Sequence, residues 1–427
     1  MTVLVFLVSL CGAMALGIPI AFSLLVCGIA LMVFLGEFDT QILASNLLDG
    51  ADNFPLMAIP FFILAGELMN AGGISRRIIE FAMSLVGHVR GGLGYVAIIA
   101  SVIFAGLSGS AVADTAALAA VLVPMMVAAG HDRAESGALI AASGIIAPII
   151  PPSVPMIVFG VTAGVSISKL FMSGIVPGLM LAVFLAIGWA YMTRKGKFKV
   201  RPRSNARQIA MSARAALWAI GLPVIIVVGL RGGVFTPTEA AAIAAWYALF
   251  VGAVVYRELS MRMLLNALVS SAKTSAVIML LAAAAMVSSY LITLANIPEQ
   301  LTGFLEPLKD NKILLMLAIN VVVLLVGTAM DVMPTILILT PVLMPIVKMA
   351  GIDPVYFGLM FIFNNCIGLL TPPVGTVLNV AAGVGRMSME SIIKAVMPFV
   401  WIEVALLLLL TLFPDLVIVP MQFLTQR

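Results

Sequence analysis

The 427-residue chain is 63% hydrophobic and only 10% charged, with a mean hydropathy of +1.19 and a formal net charge of +4. No water-soluble fold hides that much apolar surface, so this is the sequence of an integral membrane protein, and its modest positive charge is no nucleic-acid signature. Three cysteines (Cys11, Cys27 and Cys366) lie in apolar segments without metal spacing and read as small hydrophobes.

Taken in chain order, apolar runs predict spanning helices near 3–35, 54–71, 136–163, 166–193, 215–231, 236–256, 268–296, 355–383 and 392–420. The first run is too long for a cleaved signal. Two pairs of runs, 93–108 with 115–129 and 313–327 with 333–348, have shorter arms. At about 1.5 Å rise per residue such an arm covers roughly 23 Å, less than a hydrocarbon core about 30 Å thick. Each pair is therefore expected to form a re-entrant hairpin, tipped by 108–114 or 327–331. Segments 73–88 and 297–308 are only moderately apolar and are expected to lie along the interface.

The basic residues set an orientation. With the N-terminus in the cytoplasm, the inside loops hold Arg76, Arg77, Arg90, Arg133, Arg257, Arg262 and Arg386, together with a cluster from Arg194 through Lys195, Lys197, Lys199, Arg201, Arg203 and Arg207 to Arg214. Outside loops keep few bases, among them Arg231, Lys309 and Lys312, while 36–53 carries Glu37, Asp39, Asp49 and Asp52 and no base. That asymmetry supports nine spans with the C-terminus outside.

The chain repeats itself. Asp114 to Asp331 is a step of 217 residues, as is Pro124 to Pro341; Pro152 to Pro373 is a step of 221, as is Pro177 to Pro398. The predicted organisation is a first repeat over 1–193 (hairpin 93–129, broken helix 136–163), a basic loop and connecting helix over 194–231, and a second repeat over 232–427 (hairpin 313–348, broken helix 355–383). The first repeat starts inside and the second outside, so they are inverted. The fold class expected is an all-α polytopic membrane protein with inverted repeats, two re-entrant hairpins and two broken helices, the layout of a secondary transporter.

An ionised carboxylate near the bilayer centre costs at least about 2.5 kcal/mol on insertion scales and is seldom kept without a task. Asp114 and Asp331 each follow a tip rich in Ser, Gly or Thr. Hydroxyls, carbonyls and a carboxylate are hard oxygen donors that suit Na⁺. Nearby, Ala147–Ser153 and Gly368–Val374 interrupt apolar helices with prolines, which remove backbone donors and leave carbonyls unpaired. A tip facing a broken helix makes one cation cage per repeat. Either acid also suits a plain helix cap, which does not exclude ion binding. Ser153, Asn364, Asn365, Thr376 and Asn379 flank the broken helices as candidate substrate ligands, or as helix–helix hydrogen bonders. Glu67, Glu239 and Lys273 sit near the ends of apolar runs, where snorkelling explains them, and His88 and His131 fall in loops.

Several motifs, SGSAVADTAA at 108–117, IIAPIIPPS at 145–153, FTPTEA at 235–240, LLTPPVG at 369–375 and IPFFILAG at 59–66, resemble the large membrane subunit of tripartite ATP-independent periplasmic (TRAP) transporters, in order and over essentially the whole chain. The first hairpin tip is similar to the branch handling sialic acid and related sugar acids. The resemblance implies a bacterial inner-membrane permease, driven by Na⁺ as coupling ion, fed by a periplasmic substrate-binding protein and paired with a small membrane subunit on a separate chain. It implies elevator-type alternating access, with import of an organic acid such as N-acetylneuraminate, another sugar acid or a C4-dicarboxylate. It also carries the sodium sites onto Ser108, Ser110, Asp114 and Ala147 in the first repeat, and Gly327, Thr328, Asp331, Gly368 and Thr371 in the second.

Other classes fit less well. No Gly-rich nucleotide loop ending in Lys-Ser/Thr is present to take energy from ATP. An intramembrane aspartyl protease also holds two acids, but here they follow Ala113 and Met330, outside any Tyr-Asp or Gly-x-Gly-Asp context, and no ring of filter residues marks a channel. No arginine lies inside an apolar span to clamp a carboxylate, which leaves half-helix N-termini for anion recognition.

Overall fold

A computed structural model describes residues 1–194, 196, 198–297 and 311–425. The interface helix expected at 297–308 lies, beyond Ile297, outside these residues, as do Lys195, Lys197 and Lys309. The described residues contain helices and no strand. In a bilayer this is the economical answer, because a helix satisfies its backbone donors and acceptors internally.

The first helices are α1 (Thr2–Ala15), α2 (Ile20–Leu35), α3 (Thr40–Ala51), α4 (Ala58–Ala71, entered by a 3₁₀ turn at Phe54–Met57) and α5 (Ile74–Val86). The stretch 3–35 is thus two helices, not one span. They turn at Leu16–Pro19 and pack on each other, with Cys27 Sγ 3.5 Å from Phe6 O. Pro19 has no N–H to continue a helix, and Gly17 takes φ +81. Residue 36 therefore emerges at the same end as residue 1, and the parity count that put the N-terminus opposite 36–53 loses its first span. The acidic 36–53 segment is itself largely helical: Asp39 caps α3, and a Cβ on Gly50 would lie 2.8 Å from Ala283 Cα. Small residues permit this backbone approach, the main attraction available between helices in lipid.

Next come α6 (Gly92–Ser108) and α7 (Ala111–Ala128), which pair as the first hairpin. The first broken helix is α8 (Arg133–Gly144) followed by α9 (Val154–Ala163), and α10 spans Ile167–Thr193. Then follow α11 (Ala206–Arg231), α12 (Pro237–Phe250, ending in a π turn at Val251–Val255) and α13 (Met261–Leu294). The second hairpin is α14 (Lys312–Gly327) with α15 (Val332–Met349), and the second broken helix is α16 (Pro354–Gly368) with α17 (Thr376–Gly385). Helix α18 (Met389–Leu412) stops before Pro414, and α19 (Asp415–Thr425) packs on α10, so the run 392–420 is also not one span. The same order of hairpin and broken helix occurs twice, and both breaks hold a cis peptide bond, Pro151-Pro152 and Pro372-Pro373.

Eight helical stretches among the described residues are long and apolar enough to cross a membrane: 54–71, 111–128, 167–193, 206–231, 237–255, 261–294, 332–349 and 389–412. Two of them, 111–128 and 332–349, are hairpin arms, so length alone does not mark the second arm of each hairpin as re-entrant. The helices fall into two packing groups. Helix α4 packs on α12 and α13, α13 on α2 and α3, and α11 on α5. Hairpins and broken helices pack among themselves and on α10 and α18, and α19 packs on those two helices. Contact between the groups runs chiefly through α5 on α6 and α13 on α15, with α4 on both α6 and α9, and α11 on both α6 and α10, as well.

Local chemistry sets the boundaries. Thr236 and Glu239 form a capping box with Pro237 in the first turn, which explains Glu239. Asn205 and Gln208 do the same for α11. Glu67 accepts from Ser270 Oγ at 2.9 Å. The amphipathic α5 buries Ile74, Ile78, Ile79 and Ala82 and is pinned by Arg77. That guanidinium donates to Glu258 at 2.7 Å and to Gly73 O at 2.8 Å, and lies 3.8 Å from the Tyr256 ring centroid. The hydrogen bond from Arg77 holds the Glu258 carboxyl below the usual carboxylate range. The stabilisation is therefore present at neutral pH and disappears as pH falls through that depressed value. Arg77→Ala is expected to cost about 1–2 kcal/mol, a partly exposed ion pair plus a cation–π contact, read as a lower thermal midpoint at pH 7 whose deficit against wild type narrows on acidification, leaving the cation–π part.

Candidate functional site

The first hairpin tip is built by three residues with different tasks. Helix α6 ends at Ser108, Gly109 turns the chain at φ +61, and Ser110 caps α7 by accepting from Ala113 N at 3.3 Å. Only glycine serves at 109, since a Cβ there would lie 2.7 Å from Pro152 O. The tip therefore rests on the break between α8 and α9. Asp114 lies in the first turn of α7, 1% exposed. Its Oδ1 accepts from the Ser108 hydroxyl, and Ser108 Oγ accepts from Ser110 N at 3.1 Å. Asp114 Oδ2 and Thr115 Oγ1 are buried with no hydrogen-bond partner.

Those two orphans test what the site fits. A buried carboxylate oxygen without a donor is costly unless a cation or proton completes it. Gly144, the last residue of α8, touches Thr115, and Ala147 follows three residues later, itself 1% exposed. Three prolines in the break (Pro148, Pro151 and Pro152) supply no N–H. The donor set at the first break is thus carboxylate, hydroxyl and carbonyl oxygen, a hard set that fits Na⁺.

The second tip is arranged differently. Gly327 ends α14 against Gly368, the last residue of α16, and a Cβ on Gly368 would fall 2.5 Å from Gly327 C. Thr328 O accepts from Val374 N at 3.2 Å, which ties the hairpin to the break. Thr371 Oγ1 lies 2.9 Å from Gly368 O and 3.2 Å from Ile367 O. Asp331 was expected in a buried cage like Asp114; here it is exposed and caps α15, its Oδ1 accepting from Val332 N at 2.7 Å. The reason is register. Asp331 precedes the first residue of its helix, whereas Asp114 is the fourth residue of α7 and turns inward.

Of the candidate substrate ligands, Ser153 and Asn364 are fully buried, Ser153 engaged through its hydroxyl and Asn364 through Nδ2 while its Oδ1 has no partner. Ser153 Oγ lies 2.6 Å from Pro148 O and accepts from Met156 N at 3.3 Å, capping α9. Asn364 Nδ2 donates to Asn320 O at 2.7 Å, while Asn320 Nδ2 donates to Thr411 Oγ1 at 2.9 Å, a polar chain joining α14, α16 and α18. Asn365 faces the second tip: both its amide atoms lack partners, and its Oδ1 would be 2.7 Å from a Cβ on Gly327. Thr376 opens α17 with an unpartnered buried hydroxyl, and Asn379, exposed and one turn on, donates to Val374 O at 2.6 Å. Thr376 and Asn379 are the pair the structure places together on one helix face.

Three polar residues were missed by the sequence reading. Thr115 stood beside Asp114 in plain view, and Asn320 lay inside an apolar run. Glu403 is an acid in the middle of α18, 0% exposed, with both carboxylate oxygens unpartnered. Its position inside the run 392–420 was the signal.

Comparison with known proteins fixes the family. Residues 7–416 match the model of the DctM component of the tripartite ATP-independent periplasmic transporter. The chain belongs to this family. It is 52% identical over 423 residues to the 2,3-diketo-L-gulonate TRAP transporter large permease protein YiaN of Escherichia coli, covering 99% of this chain and 100% of that one. It is 38% identical to the sialic acid TRAP transporter large permease protein SiaM of Vibrio cholerae, over 95% of each. To the C4-dicarboxylate TRAP transporter large permease protein DctM of Pseudomonas aeruginosa it is also 38% identical, over 87% of each. Among solved structures, the YdaH transporter of Alcanivorax borkumensis, described as having an unusual topology, superposes with a TM-score of 0.63 at 15% identity over 86% of both chains, a likeness of fold.

The glycine pair at the second tip gives a test. Gly368→Ala drives a methyl group into the Gly327 backbone, and such overpacking costs about 1–3 kcal/mol. We expect a lower thermal midpoint in detergent for Gly368→Ala and none for Gly383→Ala, whose added Cβ would meet nothing within 4 Å. Equal midpoints for the two variants would contradict the packing described.

Proposed function

We propose that this TRAP large permease imports an organic acid by Na⁺ symport, with its first sodium site formed by Ser108, Ser110, Asp114, Thr115 and Ala147. The observation that carries this reading is that Asp114 Oδ2 and Thr115 Oγ1 are both buried and unpartnered where the hairpin tip meets a helix break. Gly327, Thr328, Asn365, Gly368 and Thr371 supply the second site, which Asp331 joins only by leaving its capping position. Thr376 and Asn379, at the N-terminal end of α17, are the substrate contacts we favour, because a half-helix N-terminus presents N–H groups to an anionic ligand.

For the substrate, higher identity to the relative named for 2,3-diketo-L-gulonate than to those named for sialic acid or C4-dicarboxylates favours a six-carbon sugar acid. Partners in this reading are a small membrane subunit and a periplasmic binding protein, as the word tripartite implies. Two packing groups of helices, joined through α5–α6, α13–α15, α4–α6, α4–α9 and α11–α6, suit an elevator in which hairpins and broken helices move against the rest. The inverted relation of the halves and an inner-membrane location belong to the same proposal. So does an outward-facing residue 1, since the α1–α2 turn returns the chain to the face that carries the acidic 36–53 segment. A protease dyad is disfavoured, because Asp114 accepts from Ser108 and Asp331 from Val332, with no hydrogen bond between the acids.

Proteoliposomes holding the permease and its small subunit, with the binding protein outside, test this. Uptake of labelled 2,3-diketo-L-gulonate is expected to need inward Na⁺, and Asp114→Asn to weaken sodium activation at least tenfold, a loss of about 1.4 kcal/mol. Uptake that runs equally well on K⁺ would refute the coupling; uptake of N-acetylneuraminate alone would reassign the substrate.

A further inference from the structure

The basic loop after α10 is fastened over the base of the first hairpin. Lys199 N donates to Ala129 O at 3.0 Å, and Arg90 Nε donates to Gly196 O at 3.1 Å. Phe198 stacks on His131 with ring centroids 3.9 Å apart and planes 12° from parallel. Trp189 lies on the imidazole at 5.4 Å and donates its Nε1–H to Gly91 O at 2.8 Å. Between loop and hairpin is a cavity of about 280 Å³, bordered among others by Gly91, Gly92, Leu93, His131, Lys199 and Arg201.

Three independent features of that cavity point to one ligand chemistry. Its lining includes two cationic residues, Lys199 and Arg201, and no acidic one. Helix α6 starts there, 17 residues long, and the Leu93 N–H in its first turn has no acceptor among the described residues. Such an N-terminus carries partial positive charge and open donors. His131 is 5% exposed, and its Nδ1 has no partner. Burial holds the imidazole pKa below its ordinary value, and the unpartnered Nδ1 is left open for a hydrogen bond with a ligand. The volume admits a phosphate group with several waters.

We propose that this cavity binds a phosphate oxyanion, held by the α6 N-terminus and His131 from below and by Lys199 and Arg201 from the loop. The ligand is either the headgroup of an anionic phospholipid or free phosphate, which share this chemistry. Because its cations come from the loop and its helix N-terminus from the hairpin, a bound phosphate clips one to the other. The site is separate from the ion cages at the hairpin tip, since it lies at the opposite end of α6 and α7, and it does not depend on the transported substrate.

Hydrogen exchange of the amides in 198–205 is the readout, on full-length protein in phosphatidylcholine nanodiscs. Three conditions are compared: phosphatidylcholine alone, with phosphatidylglycerol, and with inorganic phosphate. Slower exchange with phosphatidylglycerol alone assigns a lipid, and slower exchange with phosphate assigns the free anion. Lys199→Gln/Arg201→Gln is expected to weaken the effect about 30-fold, the factor given by two charges at roughly 1 kcal/mol each. His131→Phe keeps the ring stack but removes Nδ1, and is expected to weaken it about tenfold. Identical exchange in all three conditions overturns the proposal. So does a His131→Phe variant that responds like wild type while the double variant does not, since that pattern is a basic loop on an anionic surface with no built cavity.

Discussion

Everything in this structure answers to the cost of leaving polar groups unpaired in hydrocarbon. Helices meet that cost for the backbone, and the chain breaks them at depth only where another element covers the break. Ala147–Ser153 lies under the first hairpin tip and Gly368–Val374 under the second. The covering is done with glycines: Gly109 over Pro152, and Gly327 over Gly368. Once breaks are covered, the oxygens they free are held in a confined place with few donors, surroundings that suit a cation. The break and its cover are one device.

The two copies of the device are not in the same condition. Around Asp114 the carboxylate is buried and partly satisfied by Ser108, leaving an oxygen and the Thr115 hydroxyl open. Around Asp331 the acid is outside, occupied as a helix cap, while Asn365 sits unpartnered within. A symmetric sequence signal has become an asymmetric pair because the acid falls at the fourth helical residue in one repeat and before the first in the other.

Much of this was legible beforehand, for physical reasons that can be named. Proline spacing marked both breaks, because proline cannot donate to a helix, and a Gly/Ser tip at 108–110 and a Gly-Thr tip at 327–328 marked the hairpins. Five of the nine predicted spans are continuous helical stretches within a few residues at most boundaries, since runs that long have no other option in lipid. The failures share a cause as well. Hydropathy does not distinguish one 33-residue run from two packed helices, so the turn at Leu16–Pro19 passed unnoticed despite Gly17 and Pro19. Helix α3 was hidden among the acids of 36–53. A sequence shows a polar atom but not its partner: Ser153 Oγ meets Pro148 O and Asn364 Nδ2 meets Asn320 O, while Asn364 Oδ1 has none. Glu403 has no counterpart in the first repeat, so the duplication that marks Asp114 and Asp331 does not mark it.

The most direct measurement is equilibrium binding of radiolabelled ²²Na⁺ to the purified permease in detergent, without substrate or partners. Saturable binding that is abolished or cut at least tenfold by Asp114→Asn, and less affected by Asp331→Asn, is what the buried first cage and the exposed second acid predict. Undiminished binding in Asp114→Asn would contradict the account at its root.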